Sequence, residues 1–316
     1  MVRTAEVVTP KHPDKICDRI SDAILDECLK QDPDTRSAIE TMGGHGIITV
    51  TGELTTNAWV DVPTIVKKVY GHEIGVQTNI VKQSPEIAKG VDTGGAGDQG
   101  IMIGYACNDN EEYVPEEYFQ ARKLAQFIYN EYPYDGKTQV TITDDNTVRV
   151  VASFCCAPAK ELQKMCETFF RYTDYKIESL LVNPAGDWNI GGFDADAGLT
   201  GRKLAVDNYG PRVPIGGGAF SGKDATKVDR SAAYMARRIA VDYLKSHNAN
   251  EVRVDLAYAI GYDQPLQAVA VIDGLEVEVS EYDLSPKGII KFLDLKTPIF
   301  SQTAQWGHMG NNFKWL

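Results

Sequence analysis

The chain's most suggestive residues lie between positions 196 and 230. Gly216-Gly217-Gly218-Ala219-Phe220-Ser221-Gly222-Lys223-Asp224 satisfies G-x-x-x-x-G-K from Gly217, a pattern whose glycines let backbone N–H groups approach an anion. It is not a full P-loop. Asp224 stands where a Ser or Thr hydroxyl would hold Mg²⁺, Pro214 sits just upstream, and no convincing buried strand precedes it. Arg202, Lys203, Lys223 and Lys227 alternate here with Asp196, Asp224 and Asp229. Cations for phosphate oxygens beside carboxylates for a divalent ion are what a metal–polyphosphate site requires, although a solvated charged surface also has this composition. At the other end, His12-Pro13-Asp14-Lys15 opens a helix. Proline suits the first helical position, and a helix N-terminus with a histidine can stabilise charge developing on an oxygen.

The elements that must position these groups follow from periodicity. Helical spacing predicts helices at 13–31, 61–70, 121–132, 160–170, 229–247 and 286–293. Strands are expected at 46–54, 137–143, 148–156, 251–260, 268–271 and 275–279, with Leu180–Val182 as a further apolar run. Two Gly-rich tracts, 90–104 and 183–222, read as functional loops without regular structure. Strands followed by a helix recur three times without a sequence repeat, and short turns between strands favour antiparallel sheets covered by helices, an α+β layout.

With 316 residues, 43% hydrophobic and 24% charged, the chain has material for two or three domains. Its net charge of −12 disfavours a general nucleic-acid binder, so positive charge for a polyphosphate must be concentrated locally. No apolar run approaches the ~18 residues of a membrane span, and the N-terminal residues lack a secretory core, so the expectation is no membrane and a cytoplasmic location. Cys17, Cys28, Cys107, Cys155, Cys156 and Cys166 form no C-x-x-C pair, and five histidines form no zinc-like cluster. Cys155 and Cys156 are expected to be consecutive strand residues facing opposite ways.

Taken in order, HPDK, GELTT, KQSPEI, GAGDQG, GLTGRK, GGGAFSGKD followed by KVDRSAAY, and YAIG resemble the signature segments of S-adenosylmethionine synthetases. The resemblance spans nearly the whole chain, from about Glu6 to Trp315; a P-loop kinase would explain only Gly217–Lys223. It implies three similar sheet-and-helix domains around a pseudo-threefold, divided at 1–91, 92–181 and 182–316. It also implies attack of methionine sulfur on the 5′ carbon of ATP, then hydrolysis of the released triphosphate to phosphate and pyrophosphate. The implied cofactors are two Mg²⁺ per site and K⁺, and the implied assembly is at least a homodimer, with a homotetramer open. A degenerate relative that binds ATP or cleaves tripolyphosphate without making the sulfonium product is the alternative.

By motif position, the resemblance implies that His12 lies near the bond that breaks, that Asp14 and Asp229 hold Mg²⁺, and that Glu40 holds K⁺. Lys137, Arg202, Lys203 and Lys223 become phosphate-contacting cations, with Asp135, Trp188, Asp196 and Ala219 in the nucleotide site. Glu53, Gln83, Asp98, Asp196, Lys227 and Ile260 fall around methionine. Three departures stand out. Lys11 replaces a usual glycine before the histidine. Asp187-Trp188 replaces an Arg-Phe pair over adenosine, where Trp can stack but Asp187 cannot stand in for the arginine. The stretch from Gly90 to Gly95 is several residues shorter than the family's mobile lid, which implies a more open site and weaker gating of product release.

Overall fold

A computed structural model describes residues 2–83, 94–310 and 313–316. Three successive units share one plan: a strand, a long helix, a hairpin, then further elements. The first has β1 (Arg3–Val8), α1 (Pro13–Leu29), the hairpin β2 (Arg36–Gly44) and β3 (Ile47–Thr55), α2 (Val62–Tyr70) and β4 (Gly75–Val81). The second has β5 (Gly100–Cys107), α3 (Glu116–Glu131), β6 (Gly136–Ile142), β7 (Thr147–Phe154), α4 (Ala159–Arg171) and β8 (Lys176–Val182). The third has β9 (Gly198–Leu199), α5 (Val228–His247), β10 (Glu251–Tyr258), β11 (Gln267–Ile272), β12 (Leu275–Glu278) and α6 (Pro286–Leu293).

The first strand of each unit leaves its own unit. β1 pairs with β6, β5 with β10, and β9 with β2, all antiparallel, so the strand that opens each unit completes the next unit's sheet in cyclic order. The three four-stranded sheets are therefore β1-β6-β7-β8, β12-β11-β10-β5 and β4-β3-β2-β9. Each long helix packs on the hairpin that follows it and on the strand that hairpin receives. The α+β class holds.

The purely antiparallel expectation needs correction. β3 pairs with β4 and β7 with β8 in parallel, because α2 and α4 carry the chain back along the sheet before the last strand is laid. The Gly-rich tracts 90–104 and 183–222 read as loops without regular structure, yet β5 starts at Gly100, and β9 and a short helix at Leu204–Asp207 lie in the second tract. Of the shortened stretch from Gly90 to Gly95, residues 90–93 lie outside the described residues.

The main apolar core lies beneath the second and third sheets, and a smaller one joins α1 and α2 to β2 and β3. Helix α1 buries polar residues as well: Asp14, Lys15, Asp18, Ser21, Asp22 and Asp26. Four aspartates at i, i+4 spacing repel one another on an isolated helix, and within α1 Lys15 answers only Asp18, at 3.1 Å, so the row calls for donors from elsewhere. No described helix is long and apolar enough to cross a membrane.

Candidate active site

The aspartate stripe of α1 is what organises the third unit's loops. Asp14 accepts the Leu199 N–H at 2.9 Å, Asp18 accepts Gly201 N–H at 2.8 Å, and Asp22 accepts Gly222 N–H at 2.8 Å. Asp26 accepts the N–H groups of Phe300 and Ser301 at 2.9 and 2.8 Å. Asp18, Asp22 and Asp26 escaped sequence analysis. Their four-residue spacing was the available signal, since such a like-charged row calls for outside donors.

Two segments held by this stripe run end to end along one edge of β2. Leu199 pairs with Met42 and Gly198 with Gly43. Further along, Ile39 N–H donates to the Gly222 carbonyl, Lys223 bridges to Ala38, and Asp224 accepts Ser37 N–H at 2.7 Å. At ~3.3 Å per strand residue, the pairings at Met42 and Ala38 stand about 13 Å apart. This edge-strand course, with α5 beginning only at Val228, is not the strand–loop–helix of a P-loop.

The first side-chain cluster surrounds the start of α1. His12 is its N-cap, its Nδ1 accepting Asp14 N–H at 3.2 Å, and Pro13 takes the first helical position. The β1–β6 register sets Val8 opposite Lys137, and Thr9 N–H donates to the Gly136 carbonyl, which carries His12 to the Asp135–Lys137 segment. Lys203 donates to Asp14 at 2.6 Å, and Arg202 Nε lies 3.7 Å from the same carboxylate. Burial first, then the Lys203 ammonium, lower the His12 pKa to about 4 against the pull of Asp14, while Lys137 and Asp196 also act on it. Burial opposes the charge on Asp14, but Lys203 and the Leu199 N–H outweigh it and hold the carboxyl below its usual range. Asp135 accepts Gly192 N–H at 2.9 Å, and burial raises its pKa in spite of that bond. Lys137 is half-exposed and lies 3.4 Å from Glu6.

The second cluster surrounds the start of α5. Lys223 donates to Asp229 at 2.6 Å, and Lys227 pairs with Asp224. A Cβ on Gly218 would lie 2.6 Å from the Asp229 carboxylate carbon, so the glycine run is what lets backbone pass over this acid. The register of Tyr258 with Gly100 and the bonds between Ala96 and the Gly261–Tyr262 turn set the segments carrying Asp98 and Ile260 against each other, and a Cβ on Gly100 would lie 3.4 Å from the Asp229 carboxylate. Ala219 lies against Gly201, whose Cβ would be 2.6 Å from that of Ala219, and so joins the two clusters.

Glu40 and Glu53 occupy the exposed face of the first sheet. Ala38 pairs with Glu53 on one side and Lys223 on the other, and Glu40 lies two residues along β2. Gln83, just past β4, donates its backbone N–H to Thr55 at 3.1 Å. Asp187 accepts Ala159 N–H and the Asn183 amide, both at 3.0 Å, and so caps α4. Trp188 stands against Gly191. Lys11 turns away to the Tyr70 carbonyl at 3.3 Å.

Among the described residues, no three His, Cys, Asp or Glu side chains gather as a metal cage. Asp14 and Asp229 are instead single hard carboxylates, each neutralised by a lysine. Such donors fit magnesium, which takes one or two carboxylates and completes its shell with water and substrate phosphates.

Comparison with known proteins decides the lineage. The chain matches models of the S-adenosylmethionine synthetase N-terminal domain over residues 1–90, central domain over 93–187 and C-terminal domain over 190–316. It is 40% identical to an S-adenosylmethionine synthase of Clostridium tetani, over 97% of this chain and 93% of that protein. The chain belongs to the S-adenosylmethionine synthetase family. A second family member, the S-adenosylmethionine synthase of Petrotoga mobilis, is also 40% identical, over 100% of this chain and 96% of its own. Within this family member the two clusters of cations and carboxylates are joined through β2, contributed by the first unit, and through loops of the third.

Proposed function

We propose that the protein is a methionine adenosyltransferase that converts ATP, L-methionine and water to S-adenosylmethionine, phosphate and pyrophosphate. Family membership over nearly the whole of this chain supports this, and the observation that carries it is the convergence of His12, Asp14, Arg202 and Lys203 at one helix N-terminus. In-line attack of methionine sulfur on the ATP 5′ carbon needs a neutral nucleophile held in line and a site that takes up a departing triphosphate. Neutral His12 donates to oxygen near the breaking bond without repelling the cations beside it. Arg202, Lys203, Lys137 and Lys223 bind the triphosphate, in a site that the resemblance to the family implies lies between two subunits. Asp135, Trp188, Asp196 and Ala219 line the nucleotide site, with Trp188 supplying a stacking face. Asp196, Glu53 and Asp98 offer carboxylates to the methionine ammonium and Lys227 a cation to its carboxylate, with Gln83 and Ile260 beside them.

Asp14 and Asp229 would hold Mg²⁺, two ions per site, and Glu40 K⁺; the ions supply charge neutralisation of the leaving phosphates. Lys203 and Lys223, which now neutralise those aspartates, turn to phosphate oxygens when substrate arrives. We place the functional unit as a homodimer at least, in the cytoplasm, with domain limits at 1–91, 92–181 and 182–316.

Purified protein incubated with ATP, methionine, Mg²⁺ and K⁺ should yield the sulfonium product with equal phosphate and pyrophosphate. Tripolyphosphate cleavage without sulfonium would identify a degenerate relative instead. Lys223→Ala should abolish turnover, and a fully active variant would remove the phosphate assignment.

A further inference from the structure

Sequence periodicity places Cys155 and Cys156 on opposite faces of a strand. The structure corrects this: β7 ends at Phe154, and Cys156 adopts a left-handed backbone with φ of 58°. That conformation is uncommon for a non-glycine residue and turns the second side chain back towards the first. Their sulfurs lie 3.6 Å apart, and both side chains line a cavity of about 330 Å³ that also meets Asp135, Asn189, Gly191 and Tyr134. Cys156 N–H donates to the Trp188 carbonyl at 2.8 Å, and its thiol lies 3.8 Å from the Asn189 carbonyl, which fixes the turn. Cys156 is part-exposed, whereas Cys155 and the other four, Cys17, Cys28, Cys107 and Cys166, are buried.

We propose that Cys155 and Cys156 form a vicinal dithiol site that captures trivalent arsenic compounds, arsenite and its mono-organo derivatives, in the wall of this cavity; that the nucleotide lies beside it rests on the function proposed above. Two sulfurs this close, converging on an open cavity, can be bridged by one thiophilic atom, and a chelate forms where a single thiol holds the same atom weakly. Cys156, the less buried of the two, attacks first and Cys155 closes the ring. Two As–S bonds form and two As–OH bonds break. Each thiol proton leaves with a hydroxide as water, and arsenic stays trivalent throughout. Burial pushes the Cys155 thiol pKa up to about 12, so Cys155 does not lead the attack and closes the ring only once Cys156 holds the arsenic beside it. A Cβ on Gly191 would be only 3.1 Å from Cys155 Sγ and 3.1 Å from Asp135 Cβ, so an added group on the sulfurs presses directly on the Gly191–Gly192 segment that Asp135 holds.

The test is intact-mass measurement of the reduced full-length protein after incubation with phenylarsonous acid. One phenylarsenic group per chain is expected, retained through a glutathione wash and removed by dithiothreitol. Proteolytic mapping should place it on the peptide containing both cysteines. Cys155→Ala and Cys156→Ser should each lose the glutathione-resistant adduct. Absence of the adduct, its removal by glutathione, or its location on another cysteine would overturn the proposal. Mapping of the unaltered protein decides the matter even if a variant misfolds. Mg²⁺–ATP should slow uptake at least tenfold. Uptake without ATP protection would refute the nucleotide placement beside Gly191 and leave the dithiol site standing.

Discussion

Arg230 grips Asp22 through both terminal nitrogens, at 2.6 and 2.8 Å, from 208 residues away in the chain. Neither side chain is more than 1% exposed. The same guanidinium donates to the Lys223 carbonyl at 2.9 Å, and Asp22 accepts the Gly222 N–H, so one buried pair holds the Gly222–Lys223 segment from two sides. Removing one partner of such a pair costs about 3–5 kcal/mol because the other charge is left buried and alone. Asp22→Ala should lose that much in urea unfolding, and Asp22→Leu with Arg230→Met should lose distinctly less. A single variant within 1 kcal/mol of the parent would show that the stripe on α1 does not hold these loops.

Histidine 12 should not titrate near neutrality. Its pKa of about 4 lies below the ordinary 6.5, so between these values the unfolded chain binds the proton and the native protein does not. Stability is then full above pH 6.5 and declines as pH falls towards 4, by about 3 kcal/mol at 1.36 kcal/mol per pH unit. His12→Gln should flatten that part of the stability–pH curve. An NMR titration that found His12 protonating above pH 6 would contradict the burial and Lys203 repulsion described here.

Lys203→Met removes the ammonium 2.6 Å from Asp14 and one of the charges depressing His12. The His12 pKa should rise, and the Asp14 carboxyl should move up from its lowered position. Loss of one positioned stabiliser of a developing anion costs about 10²–10³ in kcat. Steady-state kinetics and histidine NMR on one sample test both effects; unchanged kcat would remove Lys203 from the phosphate set.

Gly222→Ala meets two obstacles. The residue sits at φ of 85°, and a Cβ would fall 1.9 Å from the Ile39 carbonyl oxygen of β2. Strain and the forced shift together should cost about 3 kcal/mol or more. The Lys223–Asp229 pair should be displaced, so kcat should fall even at temperatures where the variant remains folded. A thermal melt within 2 °C of the parent would argue against the β2-edge course of this segment.

Much of the secondary structure was legible because local rules governed it. HPDK announced the start of α1 through its proline, Pro286–Leu293 matched its helix, and α5 followed its apolar spacing. β1, β2 and β4 were passed over. β2 alternates buried and exposed residues, yet its exposed positions are mixed and it closes on two glycines, which weakens the signal. β5 and β9 were missed as well, because both begin in Gly-rich tracts that read as loop.

By itself, the sequence determined the chemistry available: which cations and carboxylates exist, that they sit in short ordered motifs, and to which family those motifs point. Helix starts and hairpins followed too, since hydrogen bonding and side-chain periodicity act over a few residues. Only the tertiary structure decided that each unit's opening strand joins the next sheet, that four aspartates on one helix catch loops nearly two hundred to nearly three hundred residues away, and that two adjacent cysteines face the same cavity. Those outcomes depend on register between distant strands and on buried donors finding partners, and neither leaves a mark within any local window of the chain.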